Sequence, residues 1–433
     1  MIYKLEKITR NIVDGVHGDC EPEDNSGYFF ISVKDMQGDR IDYSNARQIS
    51  KRAYIEANKR TKLENGDVLF ANTGDTIGKM LLATSESVEL CKTTFQKSIA
   101  LFKPNIDFVT VDYFYYLIMS NRLLLKKAAV GSGQKNLLLS DIRSFIVEII
   151  DDKAKQKEVV RYIKAIDRKI QLNNAINTEL EKVAKTIYNY WFVQFDFPNA
   201  KGKPYRTSGG KMEYNEVLKR EIPKGWKIKQ LKEICRFKSG YPFSSKSYLK
   251  NGKFGLITIK NVQEDGVNLN VDSFLDAIPE NMPDYCLLHP GDILMSLTGN
   301  VGRVGLMFEN DCLLNQRVAV IQPVSETVKG YCYFLLKSDY IRAIVDNMAS
   351  GSSQANLSPI DTENILLPFD SKVISDYDAK ITPIVQHIVS LKMQNKELTG
   401  LRDFLLPLLM NGQVRVRDDN KKSPNDKDSL NHG

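Results

Sequence analysis

Apolar residues follow two different periods along this chain, and the two kinds of segment alternate. Short apolar runs such as "DVLFA" (67–71) and "DILMS" (292–296) are bounded by Gly, Asn and Thr, a composition typical of strands joined by tight turns. Longer segments carry apolar residues at spacings of three and four, which is the period of helices. The pattern therefore predicts a β-rich block, a long helix, a second β-rich block and a second long helix.

The two β-rich blocks repeat each other. The segment "GDVLFANTGDTIGK" (66–79) returns downstream as "GDILMSLTGNVGR" (291–303). Three further pairs follow in the same order at an offset of roughly 220 residues. They are "FQKSIALFKP" (95–104) with "LNQRVAVIQP" (314–323), "YFYYLIMSN" (113–121) with "YCYFLLKSD" (331–339), and "GSGQKNLLLSDIRSFIVEII" (131–150) with "GSSQANLSPIDTENILLPF" (351–369). Four matched blocks in register indicate a tandem duplication.

Each long helix is predicted to carry a heptad-like seam, and two such seams in one chain can zip together. The blocks "NTEL" (177–180) and "NKEL" (395–398) align on these seams. Their asparagines, Asn177 and Asn395, are expected to fix the register at a cost in stability. Pro383 interrupts the second pattern, so we expect a kink or a restart there, with Thr382 as a possible cap.

These patterns predict an α+β fold with six successive regions. They are a first β-rich domain (1–151), a first long helix (152–195), a basic linker (196–221), a second β-rich domain (222–370), a second long helix (371–413) and a disordered tail (414–433).

Charge is unevenly distributed. The net charge of the chain is +7, but the stretch 201–260 has sixteen Lys or Arg against four Glu and no Asp, a local net charge of +12. Such asymmetry favours an anionic partner such as nucleic acid. A solvated, lysine-rich linker would give the same count, so charge alone leaves both interpretations open.

Composition and motifs argue against several classes of protein. No apolar run has the length of a membrane span, and "MIYKLEKITR" lacks the apolar core of a signal peptide. The six cysteines show no paired spacing, which predicts a reducing, cytoplasmic location without disulfides or zinc. Phosphate-binding and dinucleotide-binding glycine loops are absent from the sequence, as is any metal-ligating or nucleophilic histidine pattern. We therefore predict no catalytic residues, no cofactor and no metal.

Polar and basic residues in matched places of the two copies are the candidate DNA contacts. Gln and Arg can read adenine and guanine bidentately, whereas Lys more often holds a phosphate. The candidates follow turns or glutamines in each block: Lys79, Lys97, Gln134 and Lys135 in the first copy, and Arg303, Arg317 and Gln354 in the second. A glutamine after a Gly–Ser turn can equally cap a helix, and the glycines can simply form hairpins, so a structural role stays open for each residue.

Four segments give the chain a specific resemblance. They are "GSGQKNL" (131–137), "LEKVAKTIYNYWFVQFDFP" (180–198), "IPKGWKIKQL" (222–231) and "LRDFLLPLLMNGQV" (401–414). Together with the duplication, they resemble type I restriction–modification specificity subunits over residues 3–414. One departure is that the first copy opens with "YKLEKI" and lacks the "IPKGW" entry of the second.

The resemblance implies that DNA recognition, methyl transfer and cleavage belong to different subunits. Each β-rich block would be a target recognition domain that reads half of a bipartite sequence in double-stranded DNA. The long helices would pair antiparallel as a pseudo-twofold spacer and dock two modification subunits. A helix of about 40 residues is roughly 60 Å long, so the reading faces would lie about one to two turns of DNA apart. Methyl transfer and cleavage would belong to the modification and restriction subunits.

Two alternatives come from other classes of protein. A stand-alone DNA methyltransferase or nuclease would need a cofactor or metal motif, which the sequence lacks. A coiled-coil adaptor whose β-rich domains bind protein would have the same helices. Loss of affinity with rising salt separates DNA binding from that adaptor, because phosphate contacts release counterions.

Overall fold

The computed structural model describes residues 1–38, 40–84, 88–131, 133–264, 266–349 and 356–413. The described residues divide into two compact units, one formed by 1–168 with 398–413 and the other by 169–397. The predicted disordered tail at 414–433 lies outside the described residues. None of the helices in the described ranges has the length and apolar character that a membrane span requires.

The first unit begins with a β-rich domain. Its elements are β1 (Ile2–Lys4), α1 (Leu5–Ile8), β2 (Thr9–Asp14), β3 (Phe29–Ile31), β4 (Met36–Gln37), β5 (Arg40–Ile41), β6 (Arg47–Gln48), α2 (Lys51–Thr61), β7 (Val68–Ala71), β8 (Met80–Leu82), β9 (Thr93–Phe95), β10 (Ile99–Pro104), α3 (Val111–Lys127), α4 (Leu139–Ser144) and β11 (Ile146–Glu148). The long helix α5 (Lys153–Tyr188) follows; its residues 153–168 belong to this unit and 169–188 to the second.

A four-stranded antiparallel sheet of order β2–β10–β7–β8 forms the centre of this domain. One side of the sheet packs on α3, α4 and the start of α5, with Phe70, Phe102 and Phe114 fully buried between them. The other side packs on a smaller sheet of order β6–β3–β9, in which β3 and β9 run parallel. Continuous burial of β7 explains its uninterrupted apolar run.

The second unit contains another β-rich domain. Its elements are β12 (Met212–Asn215), β13 (Arg220–Pro223), β14 (Lys227–Gln230), β15 (Cys235–Ser239), β16 (Phe254–Ile257), β17 (Val262–Gln263), β18 (Gly266–Val267), β19 (Phe274–Leu275), β20 (Leu287–Leu288), β21 (Ile293–Ser296), β22 (Val304–Leu306), β23 (Cys312–Leu314), β24 (Val318–Pro323), α6 (Lys329–Leu336), α7 (Asp339–Ala349), α8 (Pro359–Glu363) and β25 (Leu366–Phe369). The long helix α9 (Ser371–Met410) follows; its residues 371–397 belong to this unit and 398–410 to the first.

The central sheet of the second unit repeats that of the first. Its order is β15–β24–β21–β22, and the smaller sheet has the order β19–β16–β23–β20 with β16 and β23 parallel. The short β1–β11 pair of the first unit corresponds to β14–β25 in the second. The structure therefore has the duplicated β-rich domain and the α+β architecture that the sequence predicts.

The second long helix corrects one expectation. Helix α9 continues through Pro383 without a restart, and Thr382 lies inside it rather than at a cap. Ile381 and Val385, on either side of the proline, are buried. Burial of this face offsets the hydrogen bond that the proline cannot donate. The hydroxyl of Thr382 donates to Asp378 Oδ2 at 2.8 Å instead of capping a new helix.

The segment predicted as a basic linker is folded. After α5 the chain makes a π-helical turn (Asn189–Val193). Phe197 then stacks on Tyr205 with ring centroids 4.7 Å apart, and it also contacts Trp226. Strands β12 and β13 close an antiparallel hairpin within the same segment. Aromatic packing, which prolines and glycines in the sequence obscure, is what orders this region.

Candidate nucleic-acid interface

In the first unit, the turn between β7 and β8 is held by the chain that precedes α4. The N–H of Gly74 donates to the carbonyl of Lys135 at 2.8 Å, and Thr73 pairs with Asn136. Gly74 has φ = +70°, a conformation that favours glycine, and this explains the "TGD" sequence. The turn and the segment around Lys135 consequently form one rigid edge of the domain.

Four of the predicted contacts lie on this edge or beside it. Gln134 and Lys135 are exposed, and the amide of Gln134 packs over Gly74. Lys97 is exposed in the turn between β9 and β10. Lys79 is only partly exposed, because its Nζ donates to the carbonyl of Val33 at 3.2 Å. The structure thus joins the turns that carry Lys79, Gln134 and Lys135.

The second unit repeats this arrangement. Thr298 pairs with Asn356, and the two side chains meet at 3.1 Å between Thr298 Oγ1 and Asn356 Oδ1. The N–H of Ser296 donates to the carbonyl of Arg303, as the N–H of Ala71 donates to the carbonyl of Lys79. Arg303 therefore occupies the position that Lys79 has in the first unit. Gln354 lies outside the described residues.

The predicted match between Lys97 and Arg317 is wrong by one residue. The N–H of Leu297 donates to the carbonyl of Arg317, whereas in the first unit Asn72 donates to Ser98. The counterpart of Arg317 is therefore Ser98, and Lys97 corresponds to Gln316. Arg317 is exposed and keeps its place on the edge, but the two copies do not present a basic residue at this same position.

Electrostatics at Arg303 differ from those at Lys79. Arg303 Nε lies 3.4 Å from Glu264, and the same carboxylate receives a hydrogen bond from Arg342 Nη1 at 3.1 Å. The Arg303 side chain is 27% exposed and Glu264 is 68% exposed, so the ion pair sits at the surface. The residue equivalent to Glu264 in the first unit is Gly38, which offers Lys79 no carboxylate.

Glu264 and Gly38 belong to two small hairpins that the sequence analysis missed. Hairpins β4–β5 and β17–β18 follow equivalent strands and lie beside Lys79 and Arg303, respectively. Their sequence signal is a further matched pair, "FISVKDMQ" (30–37) and "LITIKNVQ" (256–263). Lys34 and Lys260 are exposed at the same position of this block.

Carboxyl groups that precede the central strands have shifted pKa values. Burial raises the pKa of Asp67, which precedes β7, although Lys103 donates to it at 2.7 Å. Hydrogen bonds from Lys62 and Lys103 lower the pKa of Glu64 to about 2. Burial also raises the pKa of Asp292, the counterpart of Asp67. These groups brace backbone turns, since the side chains of Asp67 and Asp292 also accept main-chain N–H groups.

The described part of the chain offers donors for phosphates and bases rather than a metal centre. No cluster of three or more His, Cys, Asp or Glu side chains suited to a metal ion occurs among the described residues. Exposed Lys, Arg and Gln on rigid turns are the groups that contact DNA backbone and base edges.

The long helices contact each other through amides and ion pairs. In the second unit, Asn173 Nδ2 donates to Gln394 at 2.7 Å and to Asn395 at 2.8 Å. In the first unit, Arg402 Nη1 donates to Asp167 at 2.9 Å, and Tyr116 donates to the same carboxylate at 2.6 Å. Polar residues therefore lie at fixed places on otherwise apolar helix faces.

Comparison with known proteins points to one family. The family model of the type I restriction modification DNA specificity domain matches residues 17–182 and again residues 223–398. The chain is 23% identical to the type I restriction enzyme HindI specificity subunit of Haemophilus influenzae, over 95% of this chain and 99% of that one. It is 25% identical to the MjaIX specificity subunit of Methanocaldococcus jannaschii, over 72% and 71% of the two chains.

A solved structure has a similar fold. The crystal structure of the S subunit of a type I restriction–modification system from M. genitalium aligns with a TM-score of 0.53 at 16% identity. The alignment covers 95% of this chain and 96% of that one.

Proposed function

The chain belongs to the family of type I restriction–modification DNA specificity proteins, and from this premise we propose that each β-rich domain reads one half of a bipartite DNA target. The chain is thus a specificity subunit. Its partners in the proposal are double-stranded DNA, two modification subunits that methylate, and restriction subunits that cleave. The chain itself carries no catalytic step in this scheme.

One observation carries the proposal: the two domains share a hydrogen-bonded frame and differ in the exposed side chains at its edge. The backbone hydrogen bonds at Lys79 and Arg303 are equivalent, and so are the Thr73–Asn136 and Thr298–Asn356 pairs. A shared frame presents both edges to DNA in the same way. Different side chains on that frame then select different bases, as an asymmetric bipartite target requires.

Residue roles follow from side-chain chemistry. Arg303 and Gln134 are proposed to read bases, because guanidinium and amide groups can bond two atoms of one base edge. Lys79 and Lys135 are proposed to hold phosphates, and Lys97, Arg317 and Gln354 complete the candidate contacts of the two domains. Turns that are tied to the sheet hold such side chains in position at little entropic cost.

The two long helices are proposed to pair antiparallel as a coiled coil, to set the gap between half-sites and to dock the modification subunits. Support comes from contacts within the second unit. Asn173 meets Asn395, while farther along α5 the carbonyl of Ala184 accepts from the hydroxyl of Tyr377 at 3.3 Å. Rising numbers in α5 thus meet falling numbers in α9. Pairing of this kind would relate the two repeats by a pseudo-twofold axis.

The decisive experiment is methylation mapping of genomic DNA from cells that carry the complete system. A bipartite methylated sequence with a gap of constant length is the expected result. Exchanging residues 1–150 for the matching domain of a relative should then change one half-site and leave the other intact. A change in both halves, or methylation without a bipartite pattern, would contradict separate reading by the two domains.

A further inference from the structure

The hairpins β4–β5 and β17–β18 open with the same hydrogen-bonded turn in both domains. The N–H and Oγ of Ser32 donate to Asp35 Oδ2 at 2.7 and 2.8 Å. The N–H and Oγ1 of Thr258 donate to Asn261 Oδ1 at 3.0 and 2.9 Å. Asp35 and Asn261 are both buried. The turn is therefore fixed from below, and its geometry is the same in both copies.

A lysine projects from this turn at the same position in each copy. The amide Nε2 of Gln37 donates to the carbonyl of Lys34 at 2.7 Å, and Gln263 donates to the carbonyl of Lys260 at 3.2 Å. Each glutamine thus uses an amide hydrogen to hold the lysine backbone. The two lysine side chains are exposed. Lys260 Nζ lies 3.2 Å from Asp272, but both side chains are more than 70% exposed, so this ion pair is weak and replaceable.

Each lysine lies beside the candidate contacts of its own domain. Lys79 donates to the carbonyl of Val33, which immediately precedes Lys34. Arg303 pairs with Glu264, which lies in the same hairpin as Lys260. A DNA backbone that passes over the edge of either domain would therefore meet the lysine of that domain.

Comparing the two copies distinguishes base contacts from phosphate contacts. Two domains that read different bases must differ at base contacts, but they can share phosphate contacts because phosphates are the same in every sequence. Lys34 and Lys260 are identical, whereas neighbouring exposed positions differ, with Gly38 against Glu264 and Lys79 against Arg303. We infer that Lys34 and Lys260 each bind a DNA backbone phosphate and clamp the two half-sites without contributing to sequence selection. This inference rests on the proposed function of the two edges.

The test is DNA affinity as a function of salt for Lys34→Ala, Lys260→Ala and the double variant, each assembled with the modification subunits. Cognate DNA and DNA with both half-sites scrambled are the two probes. Each single change should weaken binding to both probes by the same factor and reduce the slope of log K against log salt concentration by about 0.9. The double variant should lose about twice that slope.

Two exposed lysines outside the hairpins serve as matched controls. Lys51 lies on α2, which has no counterpart in the second domain, and Lys372 has a surface ion pair with Asp376 like that of Lys260 with Asp272. Alanine at either control should leave the slope unchanged. The inference fails if the Lys34 and Lys260 variants keep the parental slope, or if only cognate binding suffers. The proposed function is tested separately from this inference. It is overturned only if the parent complex does not prefer cognate DNA.

Discussion

The two β-rich domains share a central sheet and differ at their exposed edges. Both centre on a four-stranded antiparallel sheet with the same strand order, and both hold the hairpin turn at a Thr–Asn pair. On the exposed side, Arg303 stands where the first domain has Lys79, and Glu264 stands where it has Gly38. Packing constrains the buried frame, while exposed turns tolerate substitution. Divergence at these edges is what two readers of different sequences would need.

The two domains also differ in what covers the outer strand of the small sheet. In the first domain α2 lies against β9, where the buried hydroxyls of Thr61 and Thr94 meet at 2.9 Å. In the second domain a strand, β20, pairs with β23, the counterpart of β9. Both solutions cover a strand that would otherwise expose unpaired backbone groups. The same architectural need is therefore met by a helix in one copy and by a strand in the other.

The largest expected effect tests the proposed role of α5 in setting the gap between the half-sites. Deleting or inserting one heptad within 179–186 of α5 should change the length of the non-specific gap and leave both half-sites intact, because a heptad preserves the apolar face of the helix. Methylation mapping measures the gap directly. A constant gap with altered half-sites would show that α5 does not act as a ruler.

A stability difference between the domains gives the next effect. Lys103 donates to the buried carboxylate of Asp67, whereas the equivalent residue of the second domain is the exposed Gln322. Lys103→Met should lower the free energy of unfolding of the first domain by roughly 3–5 kcal/mol, because it leaves a buried charge unpaired. Hydrogen exchange of β7 and β10 measures this loss. Gln322→Met is the matched control, and an equal loss there would contradict the argument.

The same lysine affects acid sensitivity. Glu64 has its pKa lowered to about 2 by Lys62 and Lys103, so its stabilising contribution is present above pH 4.5 and is lost as the pH falls towards 2. In Lys103→Met the pKa of Glu64 should rise part of the way back, because Lys62 remains. An NMR titration of Glu64 in the two proteins checks the direction of that shift.

Local patterns predicted the elements of this fold better than their tertiary register. The turns between paired strands and the two long helices are strong local signals, and both are present in the structure. The one-residue error at Arg317 comes from matching the residues that follow Gln96 and Gln316. Counting along the matched blocks 95–104 and 314–323 pairs Arg317 with Ser98, and the hydrogen bonds from Asn72 to Ser98 and from Leu297 to Arg317 agree. At Pro383 the helix does not restart, because burial of the surrounding face of α9 outweighs the local preference of proline.

The folded linker and the missed hairpins have different explanations. The sequence predicts a basic linker at 196–221, but its order depends on the packing of Phe197 on Tyr205 and on the more distant Trp226, which composition does not reveal. The hairpins could have been found, because "FISVKDMQ" and "LITIKNVQ" keep Lys and Gln at matched positions. Each strand there is only two residues long, too short for a periodic signal.

Lys79 and Arg303 occupy equivalent positions, and substituting each tests whether their roles differ. Arg303→Ala should cost about 1–3 kcal/mol of cognate binding and relax one position of the second half-site. Lys79→Ala should instead weaken binding to all sequences and flatten the salt slope by about one. Affinities of both variants, with cognate and scrambled DNA and with the modification subunits present, decide the roles. Parental binding by both variants would mean that these residues are structural.

The smallest expected effect concerns the carboxylate of Glu264, which stands where the first domain has Gly38. Glu264 lies between Arg303 and Arg342, so it can restrict the Arg303 side chain before DNA arrives. Glu264→Gln removes the charge while keeping the shape of the side chain. Because surface ion pairs are weak, the preference for cognate over a single-base variant of the second half-site should fall by less than about 1 kcal/mol. Total affinity should rise slightly, since a negative charge near DNA is lost.

A double-mutant cycle separates positioning from simple repulsion. In an Arg303→Ala background, Glu264→Gln should no longer change the preference between the two DNAs, because the group that it positions is gone. Asp272→Asn is the matched control: it removes a carboxylate from the exposed ion pair of Lys260, so it should raise affinity for both DNAs equally. If Glu264→Gln behaves like this control, Glu264 acts on DNA only through its charge. If the preference falls only when Arg303 is present, Glu264 is a positioning residue that the first domain, with Gly38, does not have.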